Sequence, residues 1–146
     1  ISAAPGSYCT LNRRWTKGDV VTLHMPVSTR LVTTGDVNKF QAVTRGPLVF
    51  ARDSRYADGD VDETSVIVAD ENGGIDAKPV PGTFSWITIE VPMVLGTDLE
   101  DAAHSRPKAI RLCDFSSADN DWNRNGRYRV WLPQTLNQMH APYHKY

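Results

Sequence analysis

Apolar and polar residues alternate with a period of two along most of this chain, and no stretch carries the three-and-four spacing of an amphipathic helix. In residues 10–15, Leu11 and Trp15 share a face. In residues 20–25, Val21, Leu23 and Met25 do, and the intervening Thr16-Lys17-Gly18-Asp19 reads as the connection of a β-hairpin. Strands are next predicted over 28–33, 40–44 and 48–52, the last two divided by Arg45-Gly46-Pro47. Pro47 has no N–H to give a ladder, so it belongs at a strand start or a sheet edge. Residues 53–63 are polar and acidic and read as a surface loop. A short strand over 65–69 runs into Glu71-Asn72-Gly73-Gly74, a strong turn signal. Two prolines and a glycine exclude 78–82 from any central strand. Strands over 84–91, 109–115 and 127–132 complete the series, and 98–105 reads as a short helix that Pro107 ends.

About nine strands with turns every 8–12 residues or so predict an all-β fold, an antiparallel β-sandwich of jelly-roll or Ig-like type. The sandwich is assigned to residues 1–134, with 1–34 also readable as the last hairpin of a preceding sandwich. Residues 135–146 lack periodicity and read as a flexible or docked tail.

Composition narrows the partners. The 146 residues suit one domain, and a formal charge of −1 from scattered acids and bases argues against nucleic acid, whose phosphates need clustered Lys and Arg. No apolar run approaches the ~18 residues of a membrane span. Ile1 and the residues after it lack the basic start and apolar stretch of a signal peptide, so the chain reads as beginning at a cut. Cys9 and Cys113 stand alone in strand-like patterns without zinc spacing. They read first as inert core thiols and second as a disulfide pair.

Candidate chemistry is sparse, and no catalytic residue is assigned. A nucleophile motif such as GxSxG is missing. His24, His104 beside Ser105, His140 and His144 read as solvated, Pro142 spoiling the helical spacing of the last two. The run Asp121 to Gly126 opens like a calcium loop, but Leu132 stands where the bidentate Glu belongs, so a hairpin loop is the plainer reading. Asp58, Asp60 and Asp62, beside Glu63, form either a cation site or a solvated acidic loop. Trp15, Trp86 and Trp131 lie in strand patterns and are expected in the core. Trp122 instead stands between Asp121 and Asn123 in a polar loop, which makes these three the candidate substrate-binding residues, for a sugar or an interface.

Three segments carry a resemblance. Gly6 through Val21, running on to Met25-Pro26, holds a Trp, a Lys-Gly-Asp turn and a Met-Pro exit; Val43 to Phe50 contains Arg45-Gly46-Pro47-Leu48-Val49; and Tyr128-Arg129-Val130-Trp131-Leu132-Pro133 closes the chain's last strand. Together they resemble the C-terminal region of glycoside hydrolase family 127, the β-L-arabinofuranosidase group. Residues 56–108 contribute little to the likeness. The resemblance implies a parent enzyme acting on arabinose-containing plant glycans, with its nucleophilic cysteine and zinc ligands on an (α/α)6 barrel that these residues do not include. Cys9 and Cys113 match neither role, and no cofactor is implied for these residues themselves. On that basis the chain is expected to be a non-catalytic accessory domain whose partners are the catalytic barrel or a second copy of itself. The alternative is a carbohydrate-binding module using Trp122 and its loop. A periplasmic or extracellular location follows only by analogy with glycan-degrading enzymes.

Overall fold

A computed structural model of the protein describes residues 4, 6–34, 40–96, 106–122 and 124–134. The described residues form nine strands: β1 Thr29–Thr33, β2 Phe40–Arg45, β3 Leu48–Asp53, β4 Ser65–Ile67, β5 Lys78–Val80, β6 Thr88–Leu95, β7 Lys108–Asp114, β8 Tyr128–Arg129 and β9 Leu132–Pro133. They make one antiparallel sheet in the order β1-β2-β3-β7-β6-β4, with β5 also on β6, β8 on β3 and β9 on β2. The described residues contain no α-helix, and single turns of 3₁₀ helix at Ser54–Tyr56 and Phe115–Ser117 follow β3 and β7. The all-β antiparallel expectation is met.

The sheet curls until its two ends nearly meet. The turn at 70–74 doubles the chain back, so that Leu31 N donates to Gly73 O (2.7 Å) and Ile75 N to Thr29 O (3.0 Å), while Val68 N donates to Pro92 O (2.9 Å). The 68–75 hairpin therefore bridges β6 to β1. On the other side, Ser65 of β4 bridges Gln134, next to β9. Barrel-like closure of this kind removes most free strand edges.

Alternation then decides what fills the interior. Ile89, Val91, Met93 and Leu95 of β6 meet Ile110 and Leu112 of β7, Val43 of β2, Phe50 of β3, Ile67 of β4 and Leu132 of β9 in one buried cluster. A polar side chain closes the seam between β2 and β4. Gln41 is fully buried; its Nε2 donates to Ser65 O (2.7 Å) and its Oε1 accepts from Ile67 N (3.3 Å). Both ends of the amide are thus satisfied, which a buried amide requires.

The strand count agrees with the sequence, but the membership differs. Residues 10–15 and 20–25 form no strand, although the Thr16-to-Asp19 turn is present with Gly18 at φ 96° and Asp19 N donating to Thr16 O. A two-stranded hairpin is marginal in water without a third strand or a cover for its apolar face. Nothing in the described residues supplies either. Lys78–Val80 takes up one place as a short strand at the edge of β6, where Pro79 is tolerated. The last predicted strand divides into β8 and β9. Residues 97–105 and 135–146, which hold the predicted helix and tail, lie outside the described residues.

Candidate functional site

β3 and β7 are neighbours in the sheet, and both end in an aspartate that caps a single 3₁₀ turn. Side-chain oxygens two or three residues ahead of free N–H groups make such turns. Asp53 accepts from Arg55 N (2.9 Å), Arg55 Nε (2.9 Å), Arg55 Nη2 (2.7 Å) and Asp119 N (2.9 Å). Asp114 accepts from Ile87 N (3.0 Å), from Ser117 N (3.1 Å) and from the Ser116 and Ser117 hydroxyls. Burial alone would push both carboxyls up. The donors outweigh it and hold each below the usual 3.8: Arg55 chiefly for Asp53, the Ser116 hydroxyl and Ile87 N–H for Asp114. Between them, burial pushes the Cys113 thiol up to about 12, with the charges of Asp53 and Asp114 adding to the effect. Cys113 is inert in the sense the sequence suggested. Cys9, expected in the core, is exposed because its strand does not form, and both cysteines are free, so the disulfide reading is overturned.

These two caps tie three loops into one cluster. Arg55 also donates to Ser117 O (2.8 Å) and Asn120 Oδ1 (2.9 Å), lies 3.8 Å from Asp121 Oδ1, and covers the Phe84 ring at 3.7 Å. Phe84 stacks on Tyr56 (4.6 Å), whose hydroxyl bonds Thr88 Oγ1 (2.8 Å) and Ser85 Oγ (3.0 Å). Trp86 N donates to Ser117 Oγ (3.1 Å), and Trp122 N to Asp119 O (3.2 Å).

On this cluster the tryptophans separate from expectation. Trp122 is 90% exposed, as its polar loop suggested; Trp86, expected in the core, is equally exposed. The alternation does not run through Trp86, because Asp114 and Ser117 take the N–H groups of Ile87 and Trp86 and β6 begins only at Thr88. Phe115 and Tyr128 stack 5.9 Å apart and are half exposed. Trp131, in the bend between β8 and β9, and Trp15, under the Arg13 guanidinium, are also partly exposed rather than in the core. Of the sugar candidates, Asp121 and Trp122 stand in the cluster, and Asn123 lies outside the described residues. Sequence reasoning missed Trp86, Asp53, Arg55 and Asp114. An Asp at each strand end, followed by Ser-Arg or Phe-Ser-Ser, was the available signal.

The acidic loop is organised by arginines. Asp58 accepts from Arg111 N (2.9 Å) and lies 3.6 Å from its Nε; Asp60 and Asp62 take the two ends of the Arg127 guanidinium at 3.0 and 2.9 Å; Asp62 also pairs with Arg129. Beneath them Arg52, fully buried, donates to Asp58 O (3.0 Å). Among the described residues no three His, Cys, Asp or Glu side chains gather in a way that could hold a metal ion. Asp58, Asp60 and Asp62 face guanidinium groups instead. Also, 53–63 is not wholly a surface loop: Tyr56 and Val61 are buried and anchor it. His24 is exposed; His104, His140 and His144 lie outside the described residues.

A second surface lies at the other end of the described chain. Residues 6–28 form an arm outside the sheet, with Val20, Val21, Leu23, Met25 and Val27 between 48% and 82% exposed. Among the described residues, the backbone hydrogen bonds of this arm are limited to two turns, at Ser7 and Asp19. Val27 rests against the β2–β3 turn, where a Cβ on Gly46 would come within 3.0 Å of it. Beside it, Arg45, Asp70 and Asp76 rim an open groove of about 710 Å³ floored by Val68, Ile75 and Pro92. Comparison with protein-family models, curated proteins and solved structures gives no match.

Proposed function

We propose that the chain is a non-catalytic accessory β-domain of a glycoside hydrolase acting on arabinose-containing plant glycans, and that it docks on that enzyme's helical catalytic barrel through residues 6–28. The observation that carries this reading is the arm. Five apolar side chains over eight residues are left in water, at a spacing that sets Val21, Leu23, Met25 and Val27 on one face of an extended segment. Full burial of each would contribute about 1.5–3 kcal/mol. Together that exceeds much of the ~4–15 kcal/mol that association costs in lost freedom.

The family likeness supports the choice of partner. Its three segments are the arm, the β2–β3 hairpin and β8–β9, and they adjoin one another: β2 pairs with β3 and β9, and Val27 touches the β2–β3 turn. The reading is tested by titrating this chain into the helical barrel encoded by the same gene, with Leu23→Asp and Met25→Asp as controls. Binding that weakens at least tenfold in the controls supports it. A gene product without such a barrel, or a barrel that binds chain and controls alike, overturns it. Self-association lost in the same controls would instead favour a dimer contact.

A further inference from the structure

We propose that the groove between the foot of the arm and residues 68–77 binds an extended peptide carrying a basic and an acidic side chain on either side of an apolar one. The arm enters this groove only through Val27 and Ser28, so the inference stands whether or not the docking reading holds.

The backbone leaves the groove open. Arg30 and Gly74 are bridged, with Leu31 N donating to Gly73 O (2.7 Å) and Ile75 N to Thr29 O (3.0 Å). One step further the ladder stops. Ala77 N turns back on Ile75 O (2.9 Å) instead of reaching across, and the arm stands outside the sheet until Thr29. Among the described residues, the backbone groups of Val27, Ser28 and Asp76 enter no backbone hydrogen bond. An interrupted edge of this kind offers main-chain donors and acceptors, and an added extended segment is the partner whose own main chain matches them.

The side chains around that edge define what the segment carries. Val68, Ile75 and Pro92 give an apolar floor, and among the described residues no aromatic ring lines the groove to stack a sugar or a base. Arg45, Asp70 and Asp76 form the rim. Asp70 Oδ1 is occupied by the N–H groups of Asn72 and Gly74. The side chains of Arg45 and Asp76 have no partner among the described residues. Two carboxylates against one guanidinium disfavour a polyanion, while a purely cationic segment leaves Arg45 without a counter-charge. Complementarity asks for one charge of each sign. In an extended chain residues i, i+2 and i+4 share a face, so base, apolar side chain and acid belong at alternate positions.

The test titrates the isotope-labelled whole chain with two acetylated, amidated pentapeptides, Lys-Thr-Leu-Thr-Glu and Glu-Thr-Leu-Thr-Lys, and follows amide chemical shifts. With at least one order, saturable shifts are expected at Ser28, Thr29, Ala69, Gly74, Asp76 and Ala77, with a Kd of about 1 mM for so small a contact. Asp76→Asn and Arg45→Gln should each weaken binding about two- to fivefold, the loss of one exposed charge pair. A peptide with Gln in place of Glu should no longer respond to Arg45→Gln. Both side chains are at least partly exposed and unpaired, so far-UV circular dichroism should match the parent chain. The arm variants Leu23→Asp and Met25→Asp, which decide the docking reading, should leave the peptide affinity unchanged, so the two fail separately. No saturable shift up to about 20 mM peptide overturns the proposal. Shifts centred away from the groove, or an affinity that neither rim substitution changes, overturn it equally.

Discussion

Removing the Asp53 carboxylate should destabilise the fold more than any exposed charge does. Its side chain is 1% exposed and receives four donors: three from Arg55 and one from Asp119 N. At about 1.5–3 kcal/mol for a hydrogen bond to a charged group, a simple sum gives ~6–12 kcal/mol, which overcounts because the donors share one acceptor. Breaking a buried pair by deleting one partner costs about 3–5 kcal/mol, the better guide here. Against a typical total of ~5–15 kcal/mol, Asp53→Ala should leave a marginal protein. Its melting temperature should fall by about 6–20 °C at this chain length. Urea unfolding followed by circular dichroism measures the loss, and a double-mutant cycle with Arg55→Ala isolates the pair, with an expected coupling of ~1.5–3 kcal/mol. A cost below about 1 kcal/mol, or additive effects, would show that solvent replaces the carboxylate and that the loop cluster is not built on it.

Acid gives an independent view of the same caps: the Asp53 and Asp114 carboxyls lie below 3.8 in the folded protein, so they add stability above that value and lose it as pH falls through their folded values. The urea midpoint should drop below about pH 4, less steeply in Asp53→Ala; a midpoint indifferent to acid contradicts this. At pH 8 the native protein should take one alkyl group, on exposed Cys9. With its thiol near 12, Cys113 is thiolate in only about one molecule in ten thousand, and equal labelling of both cysteines by mass spectrometry would refute its burial. Gly59→Ala should destabilise by about 1–3 kcal/mol, because φ is +116° and the new methyl would lie 2.5 Å from Arg52 Nη2; an unchanged urea midpoint would contradict that. Calcium should leave the melting temperature unmoved, since Asp58, Asp60 and Asp62 are engaged by arginines, and a rise of several degrees would instead show a cation site there.

Where local chemistry and burial agree, the sequence was legible. Arg45-Gly46-Pro47-Leu48 is a two-residue hairpin with Gly46 at φ 55°, the left-handed value the turn needs, and Pro47 at the loop rather than in the ladder. Glu71 to Gly74 turns as its residues dictate, with Asp70 capping the N–H groups of Asn72 and Gly74. Legibility failed where a distant partner decides. Residues 10–25 alternate as well as any strand, yet alternation specifies a face and not the surface that covers it. Trp86 reads as a core residue until Asp114, 28 positions on, caps the backbone beside it. The acidic loop could be read either as a cation site or as a solvated loop, because Arg111, Arg127 and Arg129 approach it from strands and loops far along the chain.

Calorimetric titration of this chain into the helical barrel that the proposal requires of the same gene bears most directly on the proposed docking role. Saturable binding that falls at least tenfold with Leu23→Asp is the expected result. A gene without such a barrel, or binding indifferent to that substitution, would contradict it.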